Sequence, residues 1–534
     1  MHRIFEQCGA GGIMADRDIL IGKSIAINTR LRASLEKSVK AKQMLDIGWT
    51  RDDQEVPKNG EMGLCPNLIP GSRVRALGKL GSWTASFNNG GQFILHGETT
   101  SFFGAASKDG DMRIKGFAGD YLGYSMEGGT IIGEDGAGND CAHNLVGGTI
   151  IVNGNVGARV GSGMRGGLVI VHGDVGRDPG AGMIGGKIIV NGRCPNPANG
   201  VSMSALTKKE VSDINSQISN QEYHIPNDAL CLQAKEIIQV DNDSDFFSDS
   251  DLSNISIVSN NRKPLNSSFP CDTVKLIGKD SPIALPIPMI PFIDNGDLLT
   301  DYDSQSQAVK EKLIEQPFLV SMNPRPIDLL LLGSENLSQF TKNYENLSGV
   351  IIDFETIAPL DDEALDGLRV AILSLLGEGK LMISINGLGV ISAAHARAGK
   401  HQFDSVIARM HDNSGITEAA ALPIIGRSIK ENLAEGNSEP GVILEFPCNA
   451  NDIAVLCASG LSFAICPPPF EEPEDIAYWL ASISDDLNLI LRRIGISSID
   501  NVSRSNLRAN DYDTAAVSGL RLAGFERPLP HWFS

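Results

Sequence analysis

The amino-acid sequence predicts a multidomain protein in which a right-handed β-helix is followed by an α/β domain that forms part of a TIM-like barrel. Three observations lead to this fold class. Glycine pairs recur every 19 residues in the first half, apolar and polar residues alternate after each pair, and short apolar runs alternate with helical segments in the second half. The predicted domains are a helical cap over residues 1–66, the β-helix over 67–203, an acidic Ser/Asn-rich linker over 204–272 and the α/β domain over 273–534.

Composition excludes several classes of function. The chain has 534 residues and a net charge of -20, so we do not expect it to bind nucleic acid or an anionic membrane surface. No long apolar run predicts a transmembrane helix, and the first residues lack the basic and apolar stretches of a secretory signal. Nine cysteines without a C-x-x-C pair favour reduced thiols in the cytoplasm.

The N-terminal segment is predicted to contain one amphipathic helix, over residues 22–46, with basic side chains on one face. A stack of strands exposes unpaired edges at its two ends. We therefore expect residues 1–70 to cap one end of the β-helix and residues 204–272 to cap the other.

The β-helix prediction depends on the 19-residue repeat. Glycine pairs stand at 90–91, 128–129, 147–148, 166–167 and 185–186, with Gly71-Ser72 and Asp109-Gly110 in the same register. Residues 71–203, called the repeat region below, thus hold about seven turns of one structural unit. Because no helix follows the glycines, we interpret them as corners of the chain and not as a phosphate-binding loop.

Alternation within each turn predicts a short strand with one buried face. The inward positions are Val74/Ala76, Phe93/Leu95, Met112/Ile114, Ile150/Val152, Val169/Val171 and Ile188/Val190. The outward positions include the basic residues Arg73, Arg75, Arg113 and Lys187. One short strand cannot bury its own face, so successive turns must stack. On an acidic protein, the outward basic stripe predicts a surface that orients an acidic protein partner, and a solvated charged face is the alternative.

These turns, such as GGTIIVNGNVGARVGSGM at 147–164, resemble the GXGXG β-helix at the C-terminus of the glutamate synthase large subunit. They are also similar to the glycine-repeat subunit of formylmethanofuran dehydrogenase. In both families this domain is a scaffold between catalytic parts, so the resemblance implies a scaffold here. The stretch that begins at Cys8-Gly9 resembles the start of an N-terminal-cysteine glutamine amidotransferase, in which a freed α-amine activates the thiol. Other amidotransferase motifs are absent, and a structural cysteine in a glycine-rich turn is the alternative.

The segment over 204–272 is rich in Asp, Ser and Asn, which predicts an exposed connection. Asp241, Asp243 and Asp245 have the spacing of a calcium loop. Phe246 and Leu252 stand where such a loop needs its glycine and its bidentate glutamate. A solvated acidic linker is therefore favoured.

Residues 273–534 alternate short apolar runs with helical segments, which predicts a parallel sheet, either open or closed as a barrel. The segments 280–292 (DSPIALPIPMIPF) and 474–509 resemble the opening and closing segments of the FMN-binding barrel of glutamate synthase. The resemblance implies FMN as a cofactor. We judge the length insufficient for eight full βα units, so we expect a partial barrel.

Two departures from that family bear on cofactors. Where the family holds the FMN phosphate, this chain has Pro467-Pro468-Pro469 followed by four carboxylates, and proline supplies no N–H donor. The family's iron–sulfur cluster needs closely spaced thiolates, whereas Cys448, Cys457 and Cys466 are nine residues apart. These three are candidate metal ligands, and buried free cysteines are the alternative. We expect no cofactor in the isolated chain.

Asp353 and Glu355 are the candidate catalytic residues, together with Cys8. Both acids follow the apolar run GVII, at the carboxyl end of a predicted strand, where barrel and open α/β sites lie. The alternative is that they cap and solvate the strand end.

Three functions remain open from the sequence. The first is a glutamate-synthase-like protein of amino-group metabolism, acting as a structural or partner-dependent subunit of a glutamate-synthase-type oxidoreductase. The second is a component of a formyl-transfer complex, similar to the glycine-repeat subunit of formylmethanofuran dehydrogenase. The third is a catalytically silent scaffold. The expected partner is a glutamate-synthase-type catalytic chain or a second copy of this chain. Whether the chain is itself an enzyme is left open.

Overall fold

A computed structural model describes residues 16–49, 60–235, 250–266, 268–278, 283–300, 307–343, 347–377, 380–410, 416–432 and 439–525. The chain divides into two compact units. Unit 1 comprises Met1–Asp241 with Leu360–Glu378, and unit 2 comprises Asn242–Pro359 with Gly379–Ser534. In the described part, no helix combines the length and apolar character that crossing a membrane requires.

Unit 1 contains a ten-stranded sheet that follows the order of the repeats. After helix α1 (Asp16–Ala41), its strands are β1 (Leu45–Ile47), β2 (Arg73–Leu77), β3 (Asn89–His96), β4 (Asp109–Ile114), β5 (Thr130–Gly133), β6 (Thr149–Val152), β7 (Leu168–Val171), β8 (Lys187–Val190), β9 (Val201–Ala205) and β10 (Leu230–Ala234), with helix α2 (Lys208–Gln217) between the last two. Strands β1 to β8 are parallel neighbours in sequence order, and β10 pairs antiparallel with both β8 and β9.

The register of this sheet is the predicted one. From β2 to β8 the aligned residues lie 19 apart, as in Ile131↔Ile150↔Val169, except at the start of the β3–β4 pairing, where Asn89 is aligned with Asp109. A second row of bridges outside the strands keeps the same interval, as in Ala137↔Val156↔Val175. The predicted inward residues are buried and form one continuous core. The spacing and the buried face are therefore confirmed, and the right-handed β-helix stays a prediction.

The two glycines of a pair exclude a side chain for different reasons. In four of the five pairs the second glycine has positive φ, such as +83° at Gly148, whereas in the Gly90-Gly91 pair it is the first. The first approaches the preceding turn so closely that a Cβ on Gly147 would lie 2.2 Å from the Glu127 carbonyl oxygen. Both features exclude a side chain, so the glycines have the architectural role that the sequence indicates.

The expectation of an exposed linker over 204–272 is wrong for residues 204–235, the first part of this range that the structure describes. Helix α2 begins with a capping box formed by Thr207 and Glu210. Its apolar residues Val211 and Ile214 pack on outward-facing isoleucines of the repeat region. The polar composition of 204–272 hid this 3.6-residue apolar pattern. Asp241, Asp243 and Asp245 lie outside the described residues.

Unit 2 contains a closed eight-stranded barrel. A short strand β11 (Ile255–Ile257) and a hairpin of β12 (Lys275–Ile277) with β13 (Ile283–Leu285) precede it. The barrel strands are β14 (Met289–Asn295), β15 (Leu319–Met322), β16 (Leu329–Leu332), β17 (Gly349–Asp353), β18 (Leu381–Gly387), β19 (Ser405–Arg409), β20 (Glu439–Ile443) and β21 (Phe463–Cys466). The helices that follow its strands in sequence are α3 (Gln307–Glu315), α4 (Phe340–Asn343), α5 (Asp362–Leu376), α6 (Ile391–Lys400), α7 (Glu418–Asn432), α8 (Ala450–Ala458) and α9 (Pro473–Ile494). Strand β22 (Leu507–Ala509), helix α10 (Tyr512–Ser518) and strand β23 (Arg521–Leu522) follow.

The expectation of a partial barrel is therefore wrong. All eight strands pair in parallel, and β21 closes the barrel on β14. The strands are only four to seven residues long, and six residues without a helix join β15 to β16. Short connections of this kind let eight strands fit into a length that the sequence suggested was insufficient.

Helix α5 belongs to unit 1, although it joins β17 to β18 in sequence. Asn28 of α1 donates a hydrogen bond to the hydroxyl of Ser374 at 2.8 Å, and Arg17 forms an ion pair with the buried carboxylate of Asp366. A Cβ on Gly367 would lie 2.2 Å from a serine hydroxyl of the repeat region. Unit 1 therefore includes Leu360–Glu378, a segment within the α/β domain that the sequence predicts over 273–534.

Candidate functional site

The carboxyl end of the barrel brings Asp353 and Glu355 together with Arg409. Asp353 ends β17 and Arg409 ends β19, with β18 between them. The Arg409 Nη2 group donates to Asp353 Oδ2 at 3.1 Å, and its Nε atom lies 2.6 Å from Glu355 Oε2. One guanidinium therefore holds both predicted acids, which leaves the group with one net negative charge.

Local backbone geometry fixes the two acids. The backbone N–H of Glu355 donates to Asp353 Oδ1 at 3.0 Å, so this carboxylate also shapes the turn after β17. The side chain of Asp353 is 7% exposed and that of Glu355 is 34% exposed. A Cβ on Gly387, the last residue of β18, would lie 2.5 Å from Glu355 Oε1. Glu355 is thus the member of the group that a ligand reaches, and Asp353 has the capping role that the sequence left as an alternative.

Arg409 was not among the site residues predicted from the sequence. It ends the apolar run SVIAR, and a charged residue at the end of a buried strand was the available signal. Sequence spacing gave no indication that a residue 56 positions after Asp353 would pair with it. The pairing of β18 with both β17 and β19 makes these two strands next-nearest neighbours, and this strand order brings Arg409 to Asp353.

Other side chains at this end are mixed in character. After β14 and β15, the Asn323 amide donates to Asp297 Oδ2 at 2.7 Å and to Asn295 Oδ1 at 3.2 Å. Large apolar side chains are exposed after other strands, with Val390 at 55% and Phe470 at 47%. A site with an ion-paired carboxylate, polar groups and apolar groups is able to orient a small polar ligand. Its carboxylates do not favour an anionic ligand.

The residues present do not fit the phosphate of FMN. In barrels, phosphates bind at the loops after the seventh and eighth strands and at a helix N-terminus. Here Asn449 and Asp452 form a capping box at the start of α8, so that two backbone N–H groups are already occupied. Burial raises the pKa of the Asp452 carboxyl. A phosphate dianion beside it would make the ionised carboxylate still less stable.

The start of α9 is equally unsuited to an anion. It begins at Pro473, which has no N–H, and its first turn carries Glu474 and Asp475. Negative side chains there already occupy the favourable end of the helix dipole. We therefore derive no chemical step through FMN.

Cys448, Cys457 and Cys466 do not form a three-thiol group. Cys448 contacts Cys466, whereas burial raises the pKa of Cys457 to about 12 and the charged groups that act on it are Lys275 and Asp500. Among the described residues, no group of three or more His, Cys, Asp or Glu side chains is placed to hold a metal ion. The eight described cysteines are free thiols, and Cys8 lies outside the described residues.

The predicted basic stripe of the repeat region is largely neutralised within the chain. Arg75 makes two hydrogen bonds, of 2.8 and 2.7 Å, with the carboxylate of Asp46. Arg113 forms an ion pair with Glu134 and donates to the Tyr223 hydroxyl at 2.7 Å. Two of the four basic residues of the predicted stripe are thus paired within the chain, by partners outside their own strands, and the partner surface stays a prediction.

One cleft was not foreseen from the sequence. It has a volume of about 220 Å³ and lies between the outer face of β4 to β7 and the segment after α2. Its lining includes Asp111, Thr130, Thr149 and the ring of Tyr223. The outward polar residues were visible in the sequence, but the segment that covers them was expected to be a linker.

No family model matches the sequence, and no curated protein matches it. Among solved structures, the flavin-binding domain of baker's yeast flavocytochrome b2 matches at 11% identity, covering 49% of this chain and 77% of its own, with a TM-score of 0.35. A structure of (S)-mandelate dehydrogenase described as a monotopic membrane protein matches at 10% identity, covering 48% and 89%, with a TM-score of 0.33. A soluble mutant of the membrane-associated (S)-mandelate dehydrogenase from Pseudomonas putida matches at 12% identity, covering 48% of this chain and 88% of its own, with a TM-score of 0.31. Similarity at this level carries no functional argument, and the barrel is established by its own strand pairing.

Proposed function

We propose that this chain is a glutamate-synthase-like subunit of amino-group metabolism that acts through a partner and does not carry the flavin itself. The observation that carries the proposal is the combination of a complete barrel with a phosphate end built from prolines and carboxylates. A barrel that keeps its strands and lacks its anion site is suited to assembly more than to flavin chemistry.

We propose further that the repeat region is the right-handed β-helix scaffold of this family. Support comes from the constant 19-residue register, from the second row of bridges and from the unbroken core. Strand β1 covers one edge of the stack and the β9–β10 pair covers the other. The sheet then ends at β1, which is only three residues long, and at β9.

The partner in this proposal is a glutamate-synthase-type catalytic chain, with a second copy of this chain as the alternative. The closed barrel after the repeat region supports this assignment over the formyl-transfer complex, in which the resemblance is confined to the repeat region. The Asp353–Arg409–Glu355 group would orient a polar ligand in the assembled enzyme, with Glu355 as the accessible carboxylate. The free state of all eight described cysteines supports a cytoplasmic location.

The test is reconstitution of glutamate synthase activity. The native complex would be purified through this chain, its subunits identified, and its sedimentation and glutamate synthase activity measured with and without this chain. The proposal expects a defined complex whose activity falls when the chain is removed. A chain that sediments as a monomer in native extracts, with unchanged glutamate synthase activity after its deletion, would contradict the proposal.

A further inference from the structure

Three sulfur atoms meet on the wall of the barrel. The Sγ atom of Cys466, the last residue of β21, lies 3.3 Å from the Sδ atom of Met289, the first residue of β14. The Cys448 thiol hydrogen-bonds to that of Cys466, and this contact together with burial raises the pKa of Cys448 well above its usual value. All three residues are at most 1% exposed. The cluster is separate from the Asp353 site and plays no part in the proposed function.

The cluster lies on the outer side of the barrel strands. Ile290 and Ile465 belong to the core inside the barrel. Side chains alternate along a strand, so their neighbours Met289 and Cys466 face the surrounding helices. Cys448 approaches from the segment just before the N-cap residue of α8. The three sulfurs therefore come from three different segments, and Cys466 contacts each of the other two.

We propose that Cys448, Cys466 and Met289 form a binding site for a single soft monovalent metal ion, Cu(I). Two thiolates and a thioether are ligands that select Cu(I) over divalent zinc or iron. With metal–sulfur bonds of about 2.3 Å, the separation of 3.3 Å corresponds to a sulfur–metal–sulfur angle of roughly 90°, so a shift of a few tenths of an ångström opens it.

Binding would need no oxidant or reductant. Cu(I) enters as Cu(I), each cysteine that ligates it releases one proton to solvent, and the methionine contributes a lone pair. Since the site is closed to solvent, we expect loading to require opening of the segment before α8, and release of the metal to be slow.

The probe for this proposal is Cu(I) itself, added anaerobically to the reduced full chain in competition with a coloured Cu(I) chelator. We expect one Cu(I) per chain to be retained after gel filtration, with an X-ray absorption spectrum that shows only sulfur neighbours. The variants Cys466→Ser and Cys448→Ser should each lower affinity at least tenfold. The matched control is Cys457→Ser, since Cys457 is also buried but lies outside the cluster, and it should bind as the parent does.

A conservative variant separates loss of the site from loss of the fold. Met289→Leu keeps the volume and apolar character of the side chain, so its far-UV circular dichroism should match the parent while its Cu(I) affinity falls. Equal Cu(I) binding by the parent and the Cys448→Ser/Cys466→Ser double variant would overturn the proposal. A Cys448–Cys466 disulfide in the anaerobically purified chain, with no Cu(I) uptake after its reduction, would overturn it as well.

Discussion

Trp83 stacks on Phe102, its counterpart 19 residues later, with ring centroids 4.7 Å apart and planes only 4° apart. Tyr121 continues the stack with a centroid distance of 4.6 Å. All three residues have positive φ, between 56° and 58°, which is rare for bulky side chains. Left-handed backbone costs an L-residue about 1–2 kcal/mol. Aromatic stacking and complete burial of Trp83 and Phe102 offset that cost.

The aromatic ladder should be one of the main sources of stability in the repeat region. We expect Phe102→Ala to lower the free energy of unfolding by about 3–5 kcal/mol, because it leaves a cavity between two rings. The control is Phe117→Ala, in the same region but 43% exposed, which should cost less than about 1 kcal/mol. Chemical denaturation of both variants measures the difference, and similar losses would show that the ladder contributes little.

Glycine should be irreplaceable where a pair requires positive φ, as at the second position of the Gly147-Gly148 pair. Gly148 has a φ of +83°, and a Cβ there would lie 2.7 Å from the Gly129 carbonyl oxygen. We expect Gly148→Val to cost several kcal/mol, since steric overlap adds to backbone strain.

Gly133 provides the matched control. It is aligned with Val152, which is aligned in turn with Val171, and a Cβ on Gly133 would meet nothing closer than 3.8 Å. Gly133→Val should therefore be neutral or slightly stabilising, by up to about 1 kcal/mol. Thermal unfolding of the two valine variants compares them directly. Equal destabilisation would mean that bulk alone, without φ, decides which glycines are required.

A pair of carboxyl groups in unit 2 should make stability depend on pH. The N–H of Ala419 donates to Asp251 Oδ1 at 2.9 Å, and Glu418 is buried beside Asp251. Burial and the hydrogen bond to Asp251 raise the pKa of Glu418 from 4.5 to about 7. The folded state therefore binds a proton more tightly than the unfolded state does. This contribution to stability is complete below pH 4.5 and is lost as pH rises through about 7.

Glu418→Gln isolates this effect. The amide keeps the shape of the protonated acid and does not titrate, so the variant should lose stability less steeply between pH 4.5 and 7. The difference between parent and variant should change by about 1–3 kcal/mol over that range. Thermal unfolding at a series of pH values measures it. Parallel pH profiles for the two proteins would show that Glu418 is ionised in both states.

Arg409 should stabilise the carboxyl end of the barrel. We expect Arg409→Met to lower stability at neutral pH by about 1–3 kcal/mol, because two neighbouring carboxylates lose their shared partner. Arg409→Lys should recover part of this loss, since a lysine keeps the charge without the fork of donors. The loss should shrink in concentrated salt, which screens the attraction between the guanidinium and the carboxylates. Denaturation at low and high salt provides the measurement, and a loss independent of salt would point to packing instead.

Sequence reasoning predicted the features that repeat or alternate. The 19-residue register and the buried positions such as Ile150 and Val169 follow from a pattern seen in every turn. Side-chain pairs that differ from one turn to the next leave no repeated pattern in the sequence. The pairing of Arg113 with Glu134 and Tyr223 depends on a segment that the sequence presented as a linker. Positive φ at Trp83 and Phe102 was also hidden, because these residues do not suggest left-handed backbone.

The barrel shows the same division. The positions of Asp353 and Glu355 at a strand end followed from an apolar run and two charges. Closure of the barrel and the approach of Arg409 depend on how eight strands assemble, which single runs do not determine. Assignment of α5 to unit 1 depends on contacts with α1 that are more than 300 residues apart in sequence.

A barrel that carries no flavin is central to the proposed function. Equilibrium titration of the purified full chain with FMN, followed by gel filtration and measurement of the flavin absorption of the protein peak, tests this most directly. We predict that the protein emerges colourless, because Pro467, Pro468 and Pro469 offer no N–H groups and the carboxylates at the start of α9 repel a phosphate. One FMN per chain remaining after gel filtration would contradict the account.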